Sequence, residues 1–466
     1  MGRISSIDRA WLLMDRPTHP MVVVGLIVFE SALDLARLRE RIAARFLAFE
    51  RFRCCPASDA AGATWIEAGG FDIQDHVLCT RLAPGAGQSE LEALVGEVAS
   101  TPFSPGRPLW TFHLVENYQA GSAVIVRIHH CYADGIALIQ VLLALTDESP
   151  AGAGAGHPVQ RAGKSDEGLA DSMLGLLPEL AALTLRGGAQ LIEKGIHYAL
   201  HPLEASSLAR DALGIVGELA HITALSDDPR THLKQPLVGI RRAAWADPLS
   251  LEELHTIGHV LGCTVNDVLV STLAGALGSY LESQGDKIAG LTIRATVPVN
   301  LRTSGTPPAT LGNCFGLVFV ELPIGIRHPL ERLYTVRRTM QALKSSPQAQ
   351  VTLGLLTALG SLPAAVEDQA MALFSAKASL VASNLPGPRE PLHLAGARVA
   401  QLLFWVPSAG EIGTGVSMIS YRGQVQVGII VDRGLIPRPA QLVGLIGAEF
   451  EKLVLLVLLG GASLNA

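Results

Sequence analysis

A chain of 466 residues exceeds one ordinary hydrophobic core and predicts two or three domains. Apolar residues make up 49% and charged residues 17%, which excludes extended disorder for most of the chain, and a net charge of −6 excludes the basic surface of a nucleic-acid binder. Mean hydropathy is high at +0.34, yet no stretch of about 20 apolar residues runs without a charge, as a spanning helix requires.

The opening Met1-Gly2-Arg3-Ile4-Ser5-Ser6 lacks the apolar stretch of a secretory signal behind its basic residue, and the expected location is the cytoplasm. Residues 21–29 are apolar and β-branched and predict a buried strand; 109–116 and 123–130 predict two more, joined as a hairpin through 117–122. Residues 151–156 alternate Ala and Gly and open a small, polar linker, after which the Leu- and Ala-rich stretch 169–225 predicts helices bridging two halves. From about Pro236 strands are expected at 291–297, 315–322, 398–406, 415–421 and 424–431, with Arg422-Gly423 as a tight turn, and helices at 267–281, 329–343 and 440–458. The organisation expected is therefore α/β: residues 1–150, a linker with bridging helices at 151–235, and 236–466, the two mixed regions sharing a cleft. Six cysteines form no C-x-x-C pair and no zinc-like spacing, which predicts reduced thiols and no metal.

One segment carries chemistry. Residues 124–130 read as a strand ending in His129-His130, and Asp134-Gly135 follow where a helix begins. Alternation along a strand places His130 on the face of Val124, Val126 and Ile128, and His129 on the face of Ile125 and Arg127, so the two imidazoles have different work. Neutral His130 is suited to act as a general base, taking a proton from a hydroxyl and returning it to a leaving group. Asp134 reads as the N-cap of the helix, a role in which asparagine would serve as well. Adjacent strand residues diverge, which argues against a shared metal.

His129-His130-x-x-x-Asp134-Gly135 is the HHxxxDG pattern of the chloramphenicol acetyltransferase superfamily, and further segments resemble its bacterial wax ester synthase/diacylglycerol acyltransferase branch. These are Pro108-Leu109-Trp110, Asn266-Asp267, Pro298-Val299-Asn300-Leu301-Arg302, Gly312-Asn313 and Ser383-Asn384-Leu385-Pro386-Gly387-Pro388, together with the start from Ser6-Ile7-Asp8 to Pro20-Met21. The family more often has valine at Leu385 and serine at Asn300. The resemblance implies two chloramphenicol acetyltransferase-like domains, mixed sheets flanked by helices, with the active site in a tunnel between them.

It also implies an O-acyltransferase that makes wax esters from long-chain alcohols, triacylglycerol from diacylglycerol, or both. Acyl-CoA is then a substrate, with no cofactor. His130 would be the base, His129, Asp134 and Gly135 would complete the catalytic motif, and transfer would be direct, since no G-x-S-x-G elbow offers a serine nucleophile. Asn266 either shares the capping of the next helix with Asp267 or donates a hydrogen bond to the oxyanion or to His130. Leu109 and Trp110 start a strand and fill the core, with a place in the substrate tunnel as the alternative; Asn384 and Pro386 belong to a rigid turn near the crossover between halves, where Gly387 supplies a positive φ. Arg302, Arg337 and Arg338 are candidates for the coenzyme A phosphates, against ordinary surface charge. Lipid substrates further imply peripheral contact with the inner membrane or lipid bodies. The competing readings are a condensation-type, amide-forming acyltransferase, for which no carrier-protein module is present, and a non-catalytic lipid-binding protein, against which the intact motif counts.

Overall fold

The computed structural model describes residues 2–59, 62–147, 217–218, 220–302, 311–360 and 364–464. The linker and most of the stretch expected to bridge the halves lie outside these residues. In the first half, α1 (Ser6–Met14) precedes β1 (Val22–Phe29), followed by α2 (Leu35–Arg41), a hairpin of β2 (Cys54–Asp59) and β3 (Gly62–Glu67), β4 (Val77–Arg81), α3 (Gln88–Ser100), β5 (Trp110–Tyr118), β6 (Gly121–His129) and α4 (Gly135–Leu145). β1 is buried along its whole length because it runs between two antiparallel neighbours and is covered on both faces, which is why its sequence is continuously apolar rather than alternating. β5 and β6 form the expected hairpin, closing at Tyr118 opposite Gly121.

The second half contains β7 (Arg241–Trp245), β8 (Leu249–Ser250), α5 (Leu251–Leu261), α6 (Val265–Ser283), β9 (Ile293–Asn300), β10 (Phe315–Leu322), α7 (Pro329–Lys344), α8 (Gln348–Leu359), α9 (Ala364–Ala376), β11 (Leu380–Leu385), β12 (His393–Leu394), β13 (Ala397–Trp405), β14 (Thr414–Tyr421), β15 (Gln424–Asp432) and α10 (Pro439–Leu464). Arg422 and Gly423, both at positive φ, make the expected tight turn between β14 and β15. The pair α5 and α6 is long and apolar enough to cross a membrane only when joined across a 100° bend, and among the described residues no single helix is. α6 is instead buried on nearly every side in the second core.

The two sheets do not follow the two halves of the sequence. One has the order β12-β13-β1-β6-β5-β4 and the other β10-β9-β11-β14-β15-β7, both mixed. The chain therefore leaves the second sheet after β11, adds β12 and β13 to the first, with Trp405 opposite Val24, and returns as β14. Residues 236–466 are thus not a self-contained unit: 393–405 complete the sheet of the first half. A third core seals the junction, with Val24 and Leu26 of β1 packed on Leu91 and Val95 of α3, Trp245 of β7 and Trp405 of β13.

The crossover starts at Pro386-Gly387-Pro388. Gly387 is not in the left-handed region, contrary to the sequence expectation. What requires glycine is proximity: a Cβ there would lie 2.0 Å from the Ser420 carbonyl oxygen of β14, whose hydroxyl accepts the Gly387 N–H at 3.0 Å. Gly387→Ala is expected to force these strands apart and cost about 1–3 kcal/mol. Chemical denaturation measures it, and an unchanged midpoint would show that the crossover has slack.

Candidate active site

The HHxxxDG segment lies where β6 meets α4, at the junction of the halves. The His129 N–H donates to the Leu109 carbonyl at 2.9 Å and the His130 N–H to the Met21 carbonyl at 2.8 Å, so both neighbouring strands hold the end of β6. The Tyr132 hydroxyl tightens this end, accepting the Leu109 N–H at 3.0 Å and donating to the Cys54 carbonyl at 2.7 Å.

The two histidines diverge as alternation predicts. His129 accepts the Cys131 N–H on Nδ1 at 3.1 Å, which leaves the proton on Nε2, 3.8 Å from the Asp15 carboxylate. Burial pushes the Asp15 carboxyl up, but His129 and the Met21 N–H outweigh it and hold the group below the usual range. His130 faces the opposite way, stacked on Trp11 of α1 with ring centroids 4.1 Å apart and tilted against Phe315 at 5.5 Å. Desolvation lowers its pKa to about 4, only partly countered by the Asp134 carboxylate, its own carbonyl and the Asn313 side chain. At neutral pH the ring is uncharged. Rings pointing to opposite faces cannot share a metal.

His130 borders a cavity between the two halves. Its walls come from both halves: Trp11 and Met14 of α1, Asp134, Gly135 and Ile136 at the start of α4, β9 to β11, and α8 and α9. Most of the lining is apolar. The polar exceptions besides His130 and Asp134 are Thr296, Asn300, Ser375 and Ser383. A Cβ on Gly135 would touch only Val406 and Leu385 at ordinary van der Waals distance, so glycine there is not a steric necessity.

Asp134 caps α4 as expected, its Oδ1 accepting the Ala137 N–H at 2.9 Å. Its other oxygen has a role the sequence did not reveal: Oδ2 accepts from Arg302 Nη2 at 2.8 Å, Arg302 Nε at 3.1 Å and the Cys314 N–H at 3.0 Å. The same guanidinium also donates to the Gly312 carbonyl. Arg302 therefore locks the motif to the second half and is not free for coenzyme A phosphates. Asparagine is consequently no substitute at 134, because its NH2 would face three N–H donors.

Other expected positions separate from the base. Asn266 is absent from the cavity wall; its Oδ1 accepts from Asn384 Nδ2 at 3.0 Å, joining the two motifs at the surface. Asp267 forms a capping box with Thr264 at the start of α6. Trp110 is fully buried, donates to the Phe52 carbonyl at 2.8 Å and packs on Phe46 and Phe112, which makes it core rather than tunnel. Pro386 begins the crossover, and Arg338 spends a donor on Thr335 of its own helix. Sequence reading missed Trp11, Phe315, Asp15 and the role of Asn313; only the apolar spacing of Ile7, Ala10, Trp11 and Met14 signalled the helix that brings Trp11 to the site.

Residues 4–269 match the wax ester synthase/diacylglycerol acyltransferase catalytic domain and residues 311–454 the C-terminal domain of the same family. The chain belongs to this family. It is an acyltransferase. Two Mycobacterium tuberculosis proteins named as diacylglycerol O-acyltransferases are similar along nearly their whole length, one 25% identical over 95% of this chain and 93% of its own, the other 29% identical over 97% and 99%. In fold, the wax ester synthase/diacylglycerol acyltransferase of Marinobacter aquaeolei VT8 superposes with a TM-score of 0.70 at 22% identity, covering 98% of this chain and all of that one. The first condensation domain of the calcium-dependent antibiotic synthetase follows at 0.61 and 14% identity, covering 98% and 96%. The expected fold, two chloramphenicol acetyltransferase-like halves with helix-flanked mixed sheets, is the one observed.

Asp134→Asn and Arg302→Met are each expected to cost about 3 kcal/mol and most of the turnover, since each leaves a buried charge or donor unpaired. A double-mutant cycle followed by denaturation and by coenzyme A release checks this. Additive losses would mean that the two groups do not act as a pair.

Proposed function

We propose that the enzyme transfers a fatty acyl group from acyl-CoA to the hydroxyl of a long-chain alcohol or a diacylglycerol, with His130 as general base. The observation that carries this reading is a neutral, desolvated imidazole in the wall of an apolar cavity built from both halves. The base takes the acceptor's hydroxyl proton on Nε2, and the alkoxide oxygen attacks the thioester carbonyl carbon. Ser383 and Asn300, which line the same cavity, are the proposed donors to the tetrahedral oxyanion. Collapse breaks the C–S bond, and the leaving thiolate takes the proton back from the imidazolium. No acyl-enzyme is needed and no cofactor enters. Each methylene of a fatty chain buried in the cavity contributes on the order of 0.8 kcal/mol, which favours long-chain donors and acceptors.

Substrates that partition into lipid suit an enzyme that works at a membrane or lipid-body surface. Support for such peripheral contact comes from α10, where Leu455, Leu458 and Leu459 are 56%, 65% and 69% exposed. A cluster of this kind, on a protein whose apolar residues are otherwise mostly buried, suits insertion among acyl chains. The protein is expected to float with neutral-lipid emulsions, and serine at all three positions to weaken flotation. Recovery of the unaltered protein wholly in the aqueous fraction at every salt concentration would refute surface contact.

The base assignment predicts that His130→Ala abolishes release of coenzyme A from palmitoyl-CoA in the presence of hexadecanol or dipalmitoylglycerol, while His129→Ala costs less. Near-normal turnover in a folded His130 variant would exclude the ring as base. Because the base works unprotonated and its pKa is lowered to about 4 by burial, kcat/KM is expected to stay level from neutral pH downward until the range of that value is approached. A limb centred near 6.5 would show instead that the ring is solvated.

A further inference from the structure

Asn313 lies outside the HHxxxDG motif, 183 residues along the chain from His130, yet its amide bonds the main chain of that residue and is among the groups acting on its ring. Its Nδ2 donates to Asp8 Oδ1 at 2.7 Å and to the His130 carbonyl at 2.9 Å. Both partners are acceptors, so the amide has one possible orientation, with Oδ1 turned away from them. Asp8 is itself anchored: it accepts the Asn313 N–H at 3.1 Å and an Arg51 N–H at 3.3 Å, and Arg51 also donates to the Tyr132 carbonyl at 2.8 Å. The amide is thus held rigidly beside the base by α1 and by the loop that follows β6.

Two buried atoms at this place make no hydrogen bond, Asn313 Oδ1 and His130 Nδ1. One is an acceptor, and the other must carry a proton if Nε2 is to be the basic nitrogen. Their chemistry is complementary, and the Asn313 side chain is among the groups that favour the charged ring. We propose that Asn313 is a positioning residue for His130: Nδ2 fixes the main-chain carbonyl, and Oδ1 accepts the Nδ1–H as the ring becomes charged. During transfer the acceptor's O–H bond breaks, its proton binds Nε2, and the positive charge spreads to Nδ1–H, which then donates to Oδ1. When the thiolate recovers the Nε2 proton the ring returns to neutrality, and no proton passes through Asn313. An interaction strengthened only when the ring is charged supports kcat rather than substrate binding. The inference rests on His130 being the base.

The test combines kinetics with a measurement that does not depend on turnover. Asn313→Ala is expected to lower kcat about 10- to 100-fold while KM for palmitoyl-CoA and hexadecanol stays within about twofold. In 15N-histidine spectra of the unaltered protein, the His130 signal, assigned by its loss in His130→Gln, is expected to show Nδ1 protonated and Nε2 bare; in Asn313→Ala it moves toward a mixture of tautomers. If Asn313→Ala fails to fold, Asp8→Asn, which keeps the amide but loosens its anchor, supplies the kinetic arm with a smaller loss of kcat. A kcat within about twofold of normal in folded Asn313→Ala, or a proton on Nε2 of the unaltered protein, overturns the proposal. Retained turnover in His130→Gln would refute the base assignment itself, whereas the tautomer reports the Asn313 contact whatever the turnover.

Discussion

The carboxylate of Asp134 is the constraint on which the site depends. One oxygen starts α4 and the other receives three hydrogen bonds from the second half, so a single buried side chain joins the end of β6, the start of α4 and the segments around Arg302 and Cys314. Two charges with nearly all their donors and acceptors engaged can be buried without a large net cost, whereas removing either partner strands the other in a poorly solvated place. The pair does little to choose a substrate. It ties the start of α4 to the segments around Arg302 and Cys314, beside the wall of the cavity that His130 borders.

Given that frame, the two adjacent histidines divide their work because a strand points consecutive side chains to opposite faces. His129 is tied to the Cys131 N–H and turned toward Asp15, and its part is to hold the loop. His130 loses water on all sides to Trp11, Phe315 and the cavity, and that loss keeps it neutral. In the proposed mechanism the conjugate acid hands its proton to a thiolate within the same catalytic event, a step that low basicity favours. Burial that lowers the pKa of the ring keeps it unprotonated and favours return of the proton, at the cost of a weaker pull on the acceptor's hydroxyl.

Much of this was legible in the sequence, for local reasons. β1, β6, β10, β14 and β15 are apolar runs bounded by turn residues, and their limits agree with the expected strands to within about two residues at most ends. The histidine motif and the cap at Asp134 are likewise written within a few positions. What remained hidden is what depends on sequence separation: the 168 residues between Asp134 and Arg302, the 305 between Asp8 and Asn313, and the departure of β12 and β13 to the other sheet. No periodicity encodes such pairings. Arg302 read as a free cation because a lone arginine next to a loop looks the same whether it meets solvent or a carboxylate, and Asn266 read as a neighbour of the base although a hydrogen bond to Asn384 accounts for its place at the surface.

The resemblance in fold to condensation domains bears on where specificity resides. A fold shared with a condensation domain at 14% identity cannot by itself select the acceptor. Selection must come from the rest of the cavity wall, and here that wall is supplied largely by the second half: β9, β10 and β11 together with α8 and α9, among them Leu317, Leu356, Met371 and Phe374. Such a surface rewards burial of methylenes, and the carboxylate that reaches the cavity, Asp134, is already engaged by Arg302. An amine acceptor would also arrive protonated at neutral pH and would have to lose its charge before attack, whereas an alcohol enters neutral. The chemistry of the wall therefore suits the neutral, lipid-like hydroxyl of the proposed acceptor.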